Sequence, residues 1–140
     1  MLSQKAQYAF RALTHLVDHY EKGPVLISEI AGRKHIPLKF LENILLQLKN
    51  AGVLESKKGK GGGYFLKEHP AKTSVANVIR IVDGPISMLP CVSLYFYQKC
   101  KNCDETNCGL HGIMESVRDA TLGVLENKTL QDLVSGRESL

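Results

Sequence analysis

The 140-residue chain has 44% hydrophobic and 23% charged residues, a balance typical of a globular rather than a disordered protein. No apolar run is long enough to span a membrane and the N-terminus has no export signal, so we expect a cytoplasmic protein. The net charge of +4 is uneven, because residues 1–72 hold twelve Lys or Arg against six Asp or Glu. This basic half indicates a polyanionic partner, although an unevenly charged surface without a partner fits the counts equally well.

The first 37 residues contain two predicted helices and the start of a third. Apolar residues recur at helical spacing over residues 3–20, and Gly23-Pro24 ends that helix. Residues 25–27 form a short apolar entry or minimal strand, after which Ser28 is a plausible N-cap for a short helix to Lys34. Pro37 suits the first turn of the third helix.

The third helix is predicted to have two faces and to end before Gly52. One face packs into the core and carries Leu41, Ile44, Leu45 and Leu48. At 100° per residue the other face is polar, with Glu42 and Gln47 on its flanks, and carries Lys39, Asn43 and Asn50.

A β-hairpin follows, with strands at residues 53–56 and 64–66. Its tip, KKGKGGGY, places Lys57, Lys58 and Lys60 beside four glycines that include Gly61. Phosphate binding favours positive charge and close backbone approach, although a flexible basic loop without a ligand has the same composition. Three helices followed by a hairpin predict a winged helix-turn-helix, in which the third helix enters the major groove of DNA.

The polar face of the third helix is where sequence specificity is expected. Lys39 can donate to guanine or to a phosphate, Asn43 can pair with adenine, and Glu42 can accept from cytosine. A solvated helix surface is the alternative for Glu42.

The second half of the chain has a different character. A fourth helix is predicted over residues 74–82, a cysteine-bearing loop over 91–108, a long helix over 110–126 and a short one over 129–134. The long helix repeats apolar residues at four-three-four intervals, a seam suited to a facing helix: Ile113, Val117, Ala120 and Val124. The fold class is therefore mainly α with a small β-hairpin. Residues 1–85 form the DNA-binding domain, and residues 86–140 hold the sensor loop and dimerisation helix.

All four cysteines lie within eighteen residues, with His111 just beyond: Cys91, Cys100, Cys103 and Cys108. In a reducing compartment this clustering favours a metal site or redox chemistry over structural disulfides. Thiolates suit iron–sulfur clusters and zinc alike. A closed zinc set of Cys100, Cys103, Cys108 and His111 is one alternative, and a metal-free thiol switch is another. The remaining histidines have no cysteine at ligand spacing and are expected to be surface or packing residues: His15, His19, His35 and His69.

Three segments together resemble the Rrf2 superfamily of bacterial regulators, which includes IscR-like, NsrR-like and CymR-like members. They are YAFRALTHL, ISEIAGRKHIPLKFLENILLQLKNAGVLESKKGKGGGYFL and VIRIVDGP. The resemblance implies a homodimer with crossed long helices, a palindromic operator on double-stranded DNA and a wing near the minor groove. It places Lys39, Phe40 and Glu42 at the reading positions and Lys60 at the wing tip.

The resemblance also implies a ligand set for a two-iron or four-iron iron–sulfur cluster. Three cysteines and a histidine with the C-x-x-H spacing hold the cluster in IscR-like chains, which matches Cys91, Cys103, Cys108 and His111, with Cys100 as an alternative ligand. The cysteine spacing differs from the family's usual pattern, and IscR-like chains usually have Ser and Tyr where this chain has Lys39 and Phe40.

The expected function is a DNA-binding regulator, a repressor by the family's habit, that senses redox state, iron or nitric oxide through the cluster. The sequence has no phosphate-loop pattern, no nucleophile–base pair and no carboxylate pair at recognisable spacing, so an enzyme is not expected.

Overall fold

The structure is a computed structural model that describes residues 2–101 and 104–135. It is mostly helical with one small hairpin, as the sequence predicts. The elements in chain order are α1 (Gln4–Asp18), α2 (Ile27–Lys34), α3 (Leu38–Asn50), β1 (Leu54–Lys57), β2 (Gly63–Leu66), α4 (Val75–Val82), α5 (Gly109–Leu125) and α6 (Leu130–Ser135).

Helix α1 contributes one buried face to the hydrophobic core. The Ser3 hydroxyl accepts the Ala6 amide N–H at 3.0 Å and so caps the first turn. Asp83, at the end of α4, accepts the backbone N–H of Ser3 at 3.1 Å and also hydrogen-bonds to its hydroxyl. The buried face of α1 packs alanines in its first half and larger side chains in its second half against the core: Ala6, Ala9, Ala12, Leu13, Leu16 and Val17.

Helix α2 begins earlier than the sequence predicts, and the assignment of Ser28 as its N-cap is wrong. The N-cap is Leu26, which gives no side-chain hydrogen bond, and Ser28 lies within the first turn on the exposed side. The reason is a contact with the hairpin, in which Val25 pairs with Tyr64 through two backbone hydrogen bonds of 2.8 and 2.9 Å. The chain leaves this bridge at Leu26 and turns directly into the helix.

Helix α3 confirms the predicted division into two faces. Pro37 precedes the helix as its N-cap, and the helix ends at Asn50, two residues before Gly52. Its four predicted core residues are completely buried: Leu41, Ile44, Leu45 and Leu48. Through these side chains, which form a ridge along the helix, α3 packs against α1, α2 and α4 in one hydrophobic cluster.

The hairpin is pinned to the helical core at its second strand. Strands β1 and β2 are antiparallel, with Leu54 opposite Leu66 and Lys57 opposite Gly63. Gly63 adopts a φ of +147°, and a Cβ built on it would lie 2.2 Å from the carbonyl oxygen of Val25. Only glycine fits this crossing point, so the wing has a fixed base.

Helix α6 returns to the first part of the chain and completes its core, which the sequence did not indicate. Leu130 is completely buried, and Leu133 and Val134 pack against the same cluster. Two backbone hydrogen bonds hold the return in place, from Val75 to Lys128 at 2.8 Å and from Leu130 to Thr73 at 3.0 Å. The core beneath the winged region therefore includes residues from beyond position 85.

A capping prediction follows from α4. The Ser74 hydroxyl accepts the Asn77 amide N–H at 3.0 Å at the N-terminus of this helix. We expect Ser74→Ala to lower the free energy of unfolding by about 1 kcal/mol, because that N–H loses its partner. Urea denaturation measures the change. The matched control is Ser28→Ala, which removes an exposed hydroxyl within α2 and leaves stability within about 0.5 kcal/mol. Equal losses in the two variants would contradict the capping role.

Candidate functional site

The exposed face of α3 carries the polar side chains predicted to contact DNA. Lys39, Glu42 and Asn43 are all exposed near the start of the helix. Gln47 is turned inward instead, and its Nε2 donates to the carbonyl oxygen of Ile81 at 2.7 Å. This bond joins α3 to α4, so Gln47 fixes the position of the helix and its amide is not directed outward.

Phe40 has a neighbour that the sequence did not indicate. Its ring packs edge-on against Tyr8 of α1, with centroids 5.5 Å apart and planes at 79°. The guanidinium of Arg11, an exposed residue, lies 5.3 Å from the centre of the Tyr8 ring. Arg11 therefore adds a positive charge beside the start of α3. Residue spacing does not predict the contact between α1 and α3, so the sequence gave no signal that identified Tyr8 or Arg11.

The wing presents its basic residues to solvent. Lys57 lies at the end of β1, and Lys57, Lys58, Lys60 and Gly61 are all exposed. The turn is closed by a hydrogen bond from the Gly62 N–H to the Gly59 carbonyl at 3.0 Å. Gly61 has a φ of +76°, with open space where a Cβ would stand. The tip is thus a tight turn rather than a loose loop.

The two ends of the cysteine loop meet at His111, where one predicted ligand pair is in contact. Cys91 is buried in a short 3₁₀ turn (Pro90–Val92), and its Sγ lies 3.3 Å from Nδ1 of His111 in α5. Cys108 is the N-cap of α5, where its Sγ accepts the His111 amide N–H at 3.4 Å. Cys91 therefore contacts the His111 ring and Cys108 contacts its backbone, but the ligand atoms of the three residues do not all lie within 4.8 Å of one another.

The other two cysteines of the loop are Cys100 and Cys103. Cys100 is exposed, and its sulfur lies 3.7 Å from the carbonyl oxygen of Lys101. Cys103 lies outside the described residues. Burial raises the pKa of the Cys91 thiol, and Glu105 and the sulfurs of Cys100 and Cys108 raise it further. A positively charged metal centre reverses this effect, because a coordinating thiol loses its proton.

Two side chains of α5 hold this arrangement from the helix side. His111 Nε2 lies 3.5 Å from a carboxylate oxygen of Glu115, one turn further along. The guanidinium of Arg118 donates to the carbonyl oxygen of Val92 at 2.8 Å and also pairs with Asp119 at 2.9 Å. Glu115 thus orients the imidazole, while Arg118 ties the turn that carries Cys91 to α5.

The apolar seam predicted on α5 is exposed along the helix. Ile113 is 59% exposed and Val124 57%, and Val117 and Ala120 between them are also exposed. The opposite side of the helix buries Leu122. Within the described residues, nothing packs over these apolar side chains in a single chain.

Comparison with known proteins now identifies the class of protein. The model of the family described as "Rrf2: Iron-dependent Transcriptional regulator" matches residues 2–136. The chain belongs to the Rrf2 family. A Rhodobacter capsulatus regulator described as HTH-type and rrf2-like is 39% identical, over 96% of this chain and 93% of that protein. IscR of Escherichia coli O1:K1 / APEC is 32% identical, over 99% of this chain and 83% of IscR.

Solved structures of Rrf2 proteins have the same fold. CymR of B. subtilis, described as a global cysteine regulator, superposes with a TM-score of 0.78 at 28% identity, covering 96% of each chain. IscR of T. potens superposes with a TM-score of 0.76 at 27% identity, covering 99% of this chain and 89% of its own. The family and these relatives are transcriptional regulators rather than enzymes, as the sequence predicts. Among the described residues, no helix is both long and apolar enough to cross a membrane.

Proposed function

We propose that this Rrf2 protein is a sequence-specific DNA-binding repressor. It acts as a homodimer on a palindromic operator, and a Cys/His-ligated iron–sulfur cluster sets its affinity for DNA. The observation that carries the proposal is that one winged-helix fold exposes both the polar start of α3 and the lysine-and-glycine wing. A helix of this polarity beside a basic hairpin suits one helix in the major groove and a wing on the flanking backbone.

The residues divide by role. Lys39, Glu42 and Asn43 read base edges from α3, with Phe40 packed behind them on Tyr8. The wing contacts phosphate through Lys57, Lys58 and Lys60, with Gly61 allowing close approach. Phosphate contacts supply affinity, whereas base contacts supply specificity.

Salt dependence of duplex binding tests the DNA-binding proposal. Promoter fragments of the source genome are titrated with the protein at several salt concentrations, with and without its metal centre. We expect log affinity to fall linearly with log salt, with a slope of several units, because each neutralised phosphate contributes about 0.9. Absence of binding to every fragment at low salt, in every metal state, would remove the proposal.

The proposal of a homodimer is based on the exposed apolar seam of α5. Apolar residues at four-three-four spacing on a solvent-facing helix side are typical of a helix that packs against a copy of itself. Two recognition helices must lie about 34 Å apart to enter successive major grooves. The angle between crossed α5 helices sets that distance. Residues 86–140, which hold the sensor loop and α5, therefore control how the DNA-binding residues 1–85 of the two subunits are spaced.

The cysteine loop fits an iron–sulfur cluster in its chemistry. The sulfur of Cys91 lies beside the imidazole of His111, and Cys108 lies at the start of the same helix, so the donors available are the type such clusters take. Cys103 remains the predicted fourth ligand, with Cys100 as the alternative. The cluster supplies redox and nitric-oxide chemistry when bound. The protein's part is to hold the ligands and to join them, through Arg118, to α5.

Visible absorption of anaerobically purified protein decides between the cluster and the alternatives. A coloured protein that bleaches on oxidation, with iron and sulfide present, supports the cluster. A colourless protein with one zinc per chain supports a structural site instead. A metal-free protein whose thiols form a disulfide on oxidation supports the thiol switch. Equal operator affinity with and without the metal centre would remove the sensing role and leave DNA binding intact.

A positioning role is predicted for Glu115. Its carboxylate faces Nε2 of His111, as the outer partner of a metal-binding histidine does. We expect Glu115→Gln to weaken retention of the metal centre by about 10–100-fold, measured as the rate of loss to a chelator. Asp119→Asn, which changes an exposed carboxylate paired with Arg118, is the control and should retain the centre. Equal retention in the two variants would contradict the role of Glu115.

A further inference from the structure

Two histidines and a glutamate converge at the junction of α1 and α2, away from the cysteine loop. His15 lies in the last turn of α1, His19 follows its end, and Glu29 lies in the first turn of α2. One ring nitrogen or carboxylate oxygen of each residue lies within 4.8 Å of those of the other two. The sequence analysis predicts that both histidines are surface or packing residues, because residue spacing does not indicate that Glu29 lies beside them.

His15 is the unusual member of this group. The residue is only 7% exposed, and its Nε2 makes no hydrogen bond with any described residue. The nearest carboxylate oxygen, on Glu29, lies 3.7 Å away, which is too far for a hydrogen bond. A buried ring nitrogen without a partner is unfavourable unless a ligand fills the space beside it.

His19 is already oriented as a ligand. Its Nδ1 lies 2.9 Å from the carbonyl oxygen of His15, and since a carbonyl only accepts, Nδ1 carries the proton. In the neutral tautomer with this proton, Nε2 of the same ring has the free lone pair. A backbone carbonyl holding one ring N–H while the other nitrogen binds a metal is the usual arrangement of metal-binding histidines. The His15 and His19 rings lie side by side, with centroids 4.3 Å apart.

The group also contains a carboxylate beside the two rings. Glu29 supplies the negative charge that an ion between the two rings requires.

We propose that His15, His19 and Glu29 form a binding site for a divalent transition-metal ion of the zinc type, which joins α1 to α2. With metal–nitrogen distances of about 2.0–2.1 Å, tetrahedral ligand atoms lie about 3.3 Å apart. The His15–Glu29 pair at 3.7 Å is near that value, and the other pairs, all within 4.8 Å, are within reach of side-chain rotation. Three protein ligands leave a fourth position for water.

The site differs from the cysteine loop in chemistry and in place. It offers imidazole and carboxylate without sulfur, a donor set that suits zinc and not an iron–sulfur cluster. Helix α2 directly precedes α3, so an ion between α1 and α2 fixes the support of the recognition helix. The inference does not depend on the cluster or on the operator.

Zinc titration of the full chain under anaerobic conditions tests the site. Nitrogen-15 NMR of the histidine rings follows each residue, while equilibrium dialysis counts the bound ions. We expect the ring signals of His15 and His19 to shift together as zinc binds, while those of His35 and His69 stay in place. Zinc bound at the cysteine loop moves only the ring signal of His111, so the two sites are distinguishable.

Three variants sharpen the test without disturbing the buried His15. Glu29→Gln and His19→Gln each remove a ligand from an exposed or half-buried position, and each should weaken zinc binding about tenfold or more. His35→Asn is the matched control, since His35 is exposed at a positive φ of 54° that Asn tolerates. It should bind zinc as the parent chain does. Unmoved His15 and His19 signals at saturating zinc, or equal affinity in all variants, would overturn the proposal.

Discussion

Gly63→Ala is expected to lower the free energy of unfolding by about 3–5 kcal/mol, or to prevent folding, because two costs coincide at one residue. The φ of +147° is one that side chains with a Cβ rarely adopt. The new methyl group would also lie 2.2 Å from the Val25 carbonyl oxygen and 2.9 Å from the Leu26 nitrogen. Backbone atoms on both sides of the contact must move, so the hairpin has to leave the helical core. Urea denaturation followed by circular dichroism measures the loss.

Gly61→Ala is the matched control for this prediction. Gly61 also has a positive φ, of +76°, but nothing lies within 4 Å of the added methyl group. We expect a cost of about 1–2 kcal/mol from the backbone conformation alone. If the two variants lose the same stability, or if Gly63→Ala unfolds as the parent chain does, the contact between β2 and Val25 does not anchor the wing.

Replacing Lys57, Lys58 and Lys60 together by alanine is expected to give the largest change in DNA binding. Each lysine that contacts a phosphate contributes about 0.9 to the slope of log affinity against log salt, so the slope falls by up to about three. A fourfold rise in salt then costs the variant about 40-fold less affinity than it costs the parent chain. Fluorescence anisotropy on one operator fragment, at several salt concentrations, measures both slopes.

A second triple variant separates wing contact from net charge. Lys99, Lys101 and Lys128 are exposed in the second half of the chain and belong to neither α3 nor the hairpin. Replacing them by alanine removes the same three charges and should leave the slope close to that of the parent chain. A similar fall in slope for both triple variants would show that overall charge, and not the wing, governs binding.

Much of the fold was predictable because its signals are local. The apolar stripe of α3, the hairpin with its glycine-rich tip and the helix predicted over residues 74–82 all follow from residues within a few positions of one another. The features that were not predicted depend on distant contacts. The start of α2 is set by the Val25–Tyr64 bridge, and the burial of Leu130 is set by the return of α6 to α1.

In the candidate site too, features that depend on local spacing were predicted and features that depend on distant contacts were not. Cysteine clustering and the C-x-x-H spacing indicated the donors of the loop, and the structure places Cys91 beside His111 across twenty residues. No spacing rule pointed to Arg118, whose role depends on the carbonyl of Val92 lying under α5. The groups of the α1–α2 junction were also missed, because Glu29 meets His15 only once the two helices pack.

The burial of Leu130 has a consequence for biosynthesis. Most of the hydrophobic core comes from residues before position 85, but Leu130 of α6 also belongs to it. That core remains open until the cysteine loop and α5 have also emerged from the ribosome, so it folds late rather than as an independent early unit. A fragment ending at residue 85 should therefore expose the apolar surface that Leu130 covers and aggregate, so the first 85 residues need the segment that follows them in order to fold stably.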